Sequence, residues 1–207
     1  MGQNLTGNKN FTIMQNNENK ELSRNDIGKI GETLVNKKLR DMGWDAFNAN
    51  TLMPNYRAID IVCINNNLSE SEDKPWKPRM ELIQVKMCRQ RNIPIGCNIA
   101  QSLDRDYLEK HIKGAYVMIH YEEKDGETKY DYYIISRKQF IELTLALHKW
   151  YVYDFDRDKD LNLKATAGLD IKALEGFDYE ATKRHKPFIN PLKGETCKDK
   201  WENIWRD

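Results

Sequence analysis

At 207 residues the chain suits one α/β domain with elaborations, since domains commonly run to about 100–200 residues. Apolar residues make up 40% and charged residues 31%, which excludes a disordered chain and fits a globular protein with a real core. A net charge of +1 argues against a protein that coats nucleic acid non-specifically, because such binding needs a large cationic surface; local contact stays open. No apolar run approaches the roughly 20 residues that cross a bilayer, and the N-terminus lacks the basic-then-apolar order of a signal peptide. The expectation is a cytoplasmic protein with no membrane partner. Cys63, Cys88, Cys97 and Cys197 show neither CxxC pairing nor a His at zinc spacing, so they read as free thiols.

Residues 1–20 are rich in Asn and poor in apolar periodicity, and read as a flexible arm. From Ser23 the residues Ile27, Ile30, Leu34, Val35, Leu39 and Met42 recur at helical spacing. They predict a helix over about 24–42 that Gly43 stops from the C′ position. Gly28 and Gly31 lie within its stripe, where missing side chains let a helix approach a sheet. Strand-like runs follow over 44–52, 58–64 and 80–88, with a polar, Pro-bearing hairpin insertion between the last two. A second helix is expected over 98–113. Two strands, 115–121 and 130–135, are joined by a polar turn at Asp125-Gly126, and Ser136 with Gln139 forms a capping box for a helix over 137–149. The order predicts an α/β fold, a mixed sheet flanked by helices, with its core over 21–150. The remainder, 151–207, is patchier. It carries a short helical candidate near 170–176 and a Trp-bearing tail expected to pack back on the core as an extension.

Four polar residues, on three elements, interrupt this pattern. Glu32 sits at the border of the first helix's apolar stripe, about 100° to 160° from its centre. Asp60 is the only charge in Ala58-Ile59-Asp60-Ile61-Val62, and an unpaired buried acid costs several kcal/mol, so it needs a cation, hydrogen bonds or solvent. Strand alternation puts Leu82, Gln84 and Lys86 on one face, with Glu81, Ile83, Val85 and Met87 on the other. His111, His120, His148 and His185 fall on no metal spacing and read as surface or satisfied core residues.

Gly31-Glu32 on a helix, then Ala58-Ile59-Asp60, then Gln84-Val85-Lys86, followed by a helix and two strands, resembles the PD-(D/E)xK nuclease superfamily over about residues 24–149. That superfamily includes type II restriction endonucleases and Holliday junction resolvases. The resemblance implies a restriction-endonuclease-like fold, Asp60 as principal metal ligand, Gln84 in the acid position of the triplet, Lys86 as catalytic lysine and Glu32 as the helix-one acid. It departs from the pattern in two places: Ile59 stands where the proline would be, and Gln84 replaces an acid. The implied cofactor is Mg²⁺ or Mn²⁺, the implied substrate DNA, and the implied assembly a homodimer, because cutting two strands needs two sites. Arg89 and Arg91 follow the triplet and are candidates for phosphate contact, as are Lys183 and Arg184 in the basic 183–200 segment. A restriction-type endonuclease is the leading expectation. A Holliday junction or repair nuclease and a catalytically inactive nucleic-acid-binding module of the same fold are the alternatives.

Overall fold

The computed structural model describes residues 23–52, 59–65, 79–154 and 161–207. Among these, the chain is a mixed α/β structure whose five-stranded sheet is flanked by helices. Helix α1 (Arg24–Asp41) starts at Ser23, whose hydroxyl accepts from the Asp26 amide, and ends before Gly43, where φ is 82°. Only glycine adopts that conformation without strain. Strand β1 (Asp45–Asn48) runs into a single helical turn, α2 (Ala49–Leu52), so the run expected over 44–52 is strand for only half its length. The Asn48 side chain accepts from the Asn50 amide at 2.8 Å, an Asx turn that diverts the backbone out of the sheet.

Strands β2 (Ile61–Asn65) and β3 (Arg79–Cys88) are antiparallel; the insertion expected between them falls largely outside the described residues, as does the N-terminal arm. Strands β5 (Ala115–Lys124) and β6 (Glu127–Ile135) form a hairpin longer than the pattern predicts. Both turn residues, Asp125 and Gly126, have positive φ (53° and 80°), so this tight two-residue turn keeps the strands paired up to Lys124 and Glu127. The sheet order is β1-β2-β3-β5-β6, with β3 and β5 parallel and every other pair antiparallel.

A second sheet, β4 (Asn92–Asn98) with β7 (Thr166–Asp170), has no counterpart in the sequence reading. Pro94 and Gly96 disguise β4, yet a two-stranded sheet has only edges, where a residue without an N–H is tolerated. The helix expected over 98–113 is two: α3 (Ile99–Ser102) and α4 (Arg105–His111). Asp104 separates them by capping α4, its carboxylate accepting from the Tyr107 amide at 3.1 Å. Helix α5 (Arg137–Lys149) carries the expected reciprocal capping box between Ser136 and Gln139. A π-helical turn follows (Trp150–Asp154), then the short α6 (Ile171–Leu174).

The main sheet buries both faces. On one, Ile61, Ile83, Val85, Val117, Ile119 and Ile134 pack with Val35 and Leu39 of α1 and with Trp201, Ile204 and Trp205 of a C-terminal 3-10 turn (Trp201–Trp205). The Trp205 ring meets Trp44 edge-on at 5.1 Å. On the other, Tyr116, Met118, Tyr133 and Ile135 pack with α5 and the small sheet, Tyr116 stacking on Phe140 at 3.8 Å. Gly31 sets the spacing of the first face: a Cβ there would lie 3.0 Å from Met87 Cβ and 3.4 Å from Val85 Cγ1. Gly28 has no such role, since a Cβ on it would meet nothing within 4 Å. No helix among the described residues is long and apolar enough to cross a membrane.

Candidate metal centre

Asp60 lies in the bend that leads into β2, one residue before the strand rather than within it. Its amide donates to the Ile83 carbonyl at 2.9 Å and its carbonyl accepts from the Ala49 amide at 2.8 Å, so the bend is tied to β3 and to the β1–α2 corner. This fixes the carboxylate against β3. Oδ2 accepts from the Val85 amide at 2.7 Å and from Gln84 Nε2 at 2.5 Å. Gln84 is buried, and in the parallel β3–β5 register it stands beside Tyr116. Burial, followed by the charges of Cys97 and Asp60, pushes the Tyr116 hydroxyl well above the usual tyrosine range.

Glu32 reaches the same place from α1. The helix is seated through Gly31, Val35 and Leu39, and Glu32, a residue beyond Gly31, is half-buried at the margin of that contact. Its Oε2 accepts from Asn48 Nδ2 at 2.7 Å. Asn50 Nδ2 then lies 3.4 Å from Glu32 Oε1 and 3.4 Å from Asp60 Oδ1, so one amide group spans the two carboxylates. Glu32, Asp60 and Gln84 thus belong to one hydrogen-bonded network. Asn48 and Asn50 complete it, and sequence reasoning passes over both. The available signal was an Asn-x-Asn pair at the end of a short strand, where carboxamides favour a turn over continued pairing.

Lys86 follows Gln84 two residues along the same face, paired with Met118 and half-buried. Its Cε would lie 3.9 Å from a Cβ on Gly96, so the glycine leaves its stem room. Lys86 makes no ion pair with Glu32 or Asp60, and among the described residues neither carboxylate has a cationic partner. Among the described residues the two acids are held by neutral amide donors, which orient carboxylates without cancelling their charge.

The proposed phosphate contacts lie apart from this network. Arg89 is exposed and pairs with Glu123 at 3.0 Å, and its carbonyl lies 3.1 Å from His120 Nε2. Arg91 is exposed, with its carbonyl accepting from the Ile171 amide; its charge acts on Tyr133 and Tyr179. Lys183 and Arg184 occupy the exposed turn between the bridged residues Thr182 and His185. None of the four contacts Glu32, Asp60 or Gln84 by a hydrogen bond or ion pair.

The donor set fits a hard divalent cation. Two carboxylates and a carboxamide oxygen of Gln84 are the ligand types that Mg²⁺ and Mn²⁺ take, whereas Asn48 and Asn50 turn their NH₂ groups to the acids. Among the described residues there is no group of three or more His, Cys, Asp and Glu side chains arranged to hold a metal, so a cation here would rest on two acids supplemented by neutral oxygens. No family model matches the chain, and neither does any curated protein or solved structure at a significant level.

Proposed function

We propose that the chain is a metal-dependent endonuclease of restriction-endonuclease-like fold that hydrolyses phosphodiester bonds in DNA. One observation carries the reading: the half-buried carboxylates of Glu32 and Asp60 face each other across a single amide, with no cationic partner among the described residues. Their amide donors orient both carboxylates and leave their negative charge in place, which is the setting a divalent cation can bridge. A bound Mg²⁺ or Mn²⁺ would supply Lewis acidity and an activated water for phosphodiester hydrolysis. Asp60 and Glu32 would hold it, with the Gln84 amide oxygen as a neutral third ligand. Lys86, two residues along β3 from Gln84 on the same face, is the cation suited to orient the attacking water and to oppose charge growing on the phosphate.

DNA is the proposed substrate and a homodimer the proposed assembly, since each chain contributes one such site and a duplex has two strands. Arg89, Arg91, Lys183 and Arg184 are proposed to contact phosphates; the exposed Arg89–Glu123 pair offers little resistance, because surface ion pairs contribute only about 0–1 kcal/mol. The four free cysteines suit a reducing compartment, and the cytoplasm is the one proposed.

A second reading is favoured by Gln84, which donates its amide to Asp60 where the resemblance calls for an acid: a nucleic-acid-binding module that no longer cuts. Incubation of the purified chain with linear, supercoiled and branched DNA and with RNA, each with Mg²⁺, Mn²⁺ or EDTA, separates the possibilities. Metal-dependent cutting of duplex DNA supports the restriction-type reading, and preference for branched DNA supports a junction or repair nuclease. Binding without cutting in every metal supports the inactive module.

A further inference from the structure

The sheet geometry poses a difficulty for Glu32. Helix α1 packs on the face that carries Val85 and Met87, whereas Gln84 and Lys86 belong to the opposite face. The helix carboxylate therefore has to be brought around the sheet margin to join Asp60. The β1–α2 corner does this. Asn48 uses both ends of its carboxamide, Nδ2 donating to Glu32 Oε2 at 2.7 Å and Oδ1 accepting from the Asn50 amide at 2.8 Å. A rotated amide would set oxygen against carboxylate and NH₂ against N–H, so the network itself fixes the orientation. The Ala49 amide ties the same corner to the Asp60 carbonyl at 2.8 Å. Asn50 then places one NH₂ group 3.4 Å from an oxygen of each acid.

We propose that Asn48 and Asn50 are positioning residues of the metal centre: Asn48 fixes the Glu32 carboxylate beside Asp60, and Asn50 screens the two acids from each other until a divalent cation takes over that screening. The inference rests on the metal-site reading above and adds to it the residues that assemble the site. It also assigns a reason for the break from strand to helical turn after Asn48, which the main-sheet pairing alone does not require.

The test is Mn²⁺ binding by isothermal titration calorimetry, with thermal melts in EDTA and in saturating Mn²⁺, on the parent, Asn48→Ala, Asn50→Asp, Glu32→Gln and the double variant Asn48→Ala/Glu32→Gln. Circular dichroism establishes that each is folded. Groups that orient metal ligands typically contribute about 10- to 100-fold in affinity, and that is the expected weakening for Asn48→Ala. Glu32→Gln should weaken binding similarly, and the double variant should be no weaker than the worse single, because both remove the same carboxylate from the site. Asn50→Asp should act in the opposite sense. Its melting temperature should fall in EDTA, as a third acid joins two, and its Mn²⁺-induced rise should exceed the parent's. A residue that merely stabilised the corner would lower both melts alike. Parental Mn²⁺ affinity in Asn48→Ala, or an Mn²⁺-induced rise in Asn50→Asp no larger than the parent's, would overturn the positioning role and leave the metal-site reading standing. A parent that binds no Mn²⁺ would overturn both.

Discussion

Replacing Gln84 by Glu perturbs the centre at its shortest contact. The parent amide donates to Asp60 Oδ2 at 2.5 Å, and the variant sets two carboxylate oxygens at that separation. Two unit charges 4 Å apart repel by about 4 kcal/mol at an effective dielectric of about 20, so the fully ionised pair at closer range is penalised at least that much. The pair escapes by sharing a proton. Holding a carboxyl of ordinary pKa protonated at pH 7.5 costs about 1.36 kcal/mol for each of roughly three pH units, which caps the loss near 4 kcal/mol. The introduced pair therefore has one folded-state pKa raised above its unfolded value. The variant's deficit is then small below about pH 4.5 and grows as pH rises, the sign expected for a raised carboxyl. A divalent cation reverses the penalty, and at 100 times its Kd a ligand stabilises by about 2.7 kcal/mol. Urea unfolding at pH 4.5 and pH 7.5, with and without Mg²⁺, measures all three effects. A variant as stable as the parent at pH 7.5, or one whose deficit Mg²⁺ does not reduce, would refute the assignment of Gln84 and Asp60 to one cation site.

Trp205→Ala should lose about 3–5 kcal/mol in urea unfolding, because the ring is buried against Trp44 in the core under α1. Trp205→Phe should lose less than half as much, since it also removes an indole N–H that has no partner among the described residues. Burial holds His148 below its ordinary value of 6.5, against the opposing contact with the Gly168 carbonyl. The unfolded chain then takes up the proton first, so this contribution is intact above about pH 6.5 and is lost as pH falls below it; His148→Phe should flatten the stability profile between pH 6.5 and 5, and an unchanged slope would assign it elsewhere. Burial pushes the Cys63 and Cys197 thiols up to about 12 and Cys97 up to about 11. Native protein at pH 8 should therefore react slowly with Ellman's reagent and denatured protein promptly at all four positions, and fast native labelling of Cys63 would contradict its burial.

The parts of the fold set by local chemistry were legible in the sequence. Helix α1 with its Gly43 stop, the Ser136–Gln139 box, the Asp125-Gly126 turn and the alternation of β3 each follow from residues within a few positions of one another. The small β4–β7 sheet was not, because it pairs segments about 70 residues apart and one partner is interrupted by Pro94 and Gly96. The split between α3 and α4 was also obscured: Ile99, Leu103, Tyr107 and Leu108 keep helical spacing across it, and only the capping carboxylate of Asp104 marks the break. Within the candidate site, Glu32, Asp60, Gln84 and Lys86 stood out as polar residues in apolar settings. Asn48 and Asn50 did not, since asparagines near a strand end are ordinary turn residues until a tertiary contact sets them between two acids.

The most direct measurement is supercoiled-DNA cleavage by the parent and by Asp60→Ala across a Mg²⁺ titration, with circular dichroism to establish that the variant is folded. Asp60 accepts three of the hydrogen bonds that organise the centre and is the acid closest to Gln84, so its removal deletes the main proposed ligand while leaving both hydrophobic faces of the sheet untouched. Cutting by the parent should require Mg²⁺ or Mn²⁺ and saturate with it, and the folded variant should not cut at any metal concentration. Cleavage by Asp60→Ala at the parental rate, or a parent that cuts nothing in either metal, would contradict it.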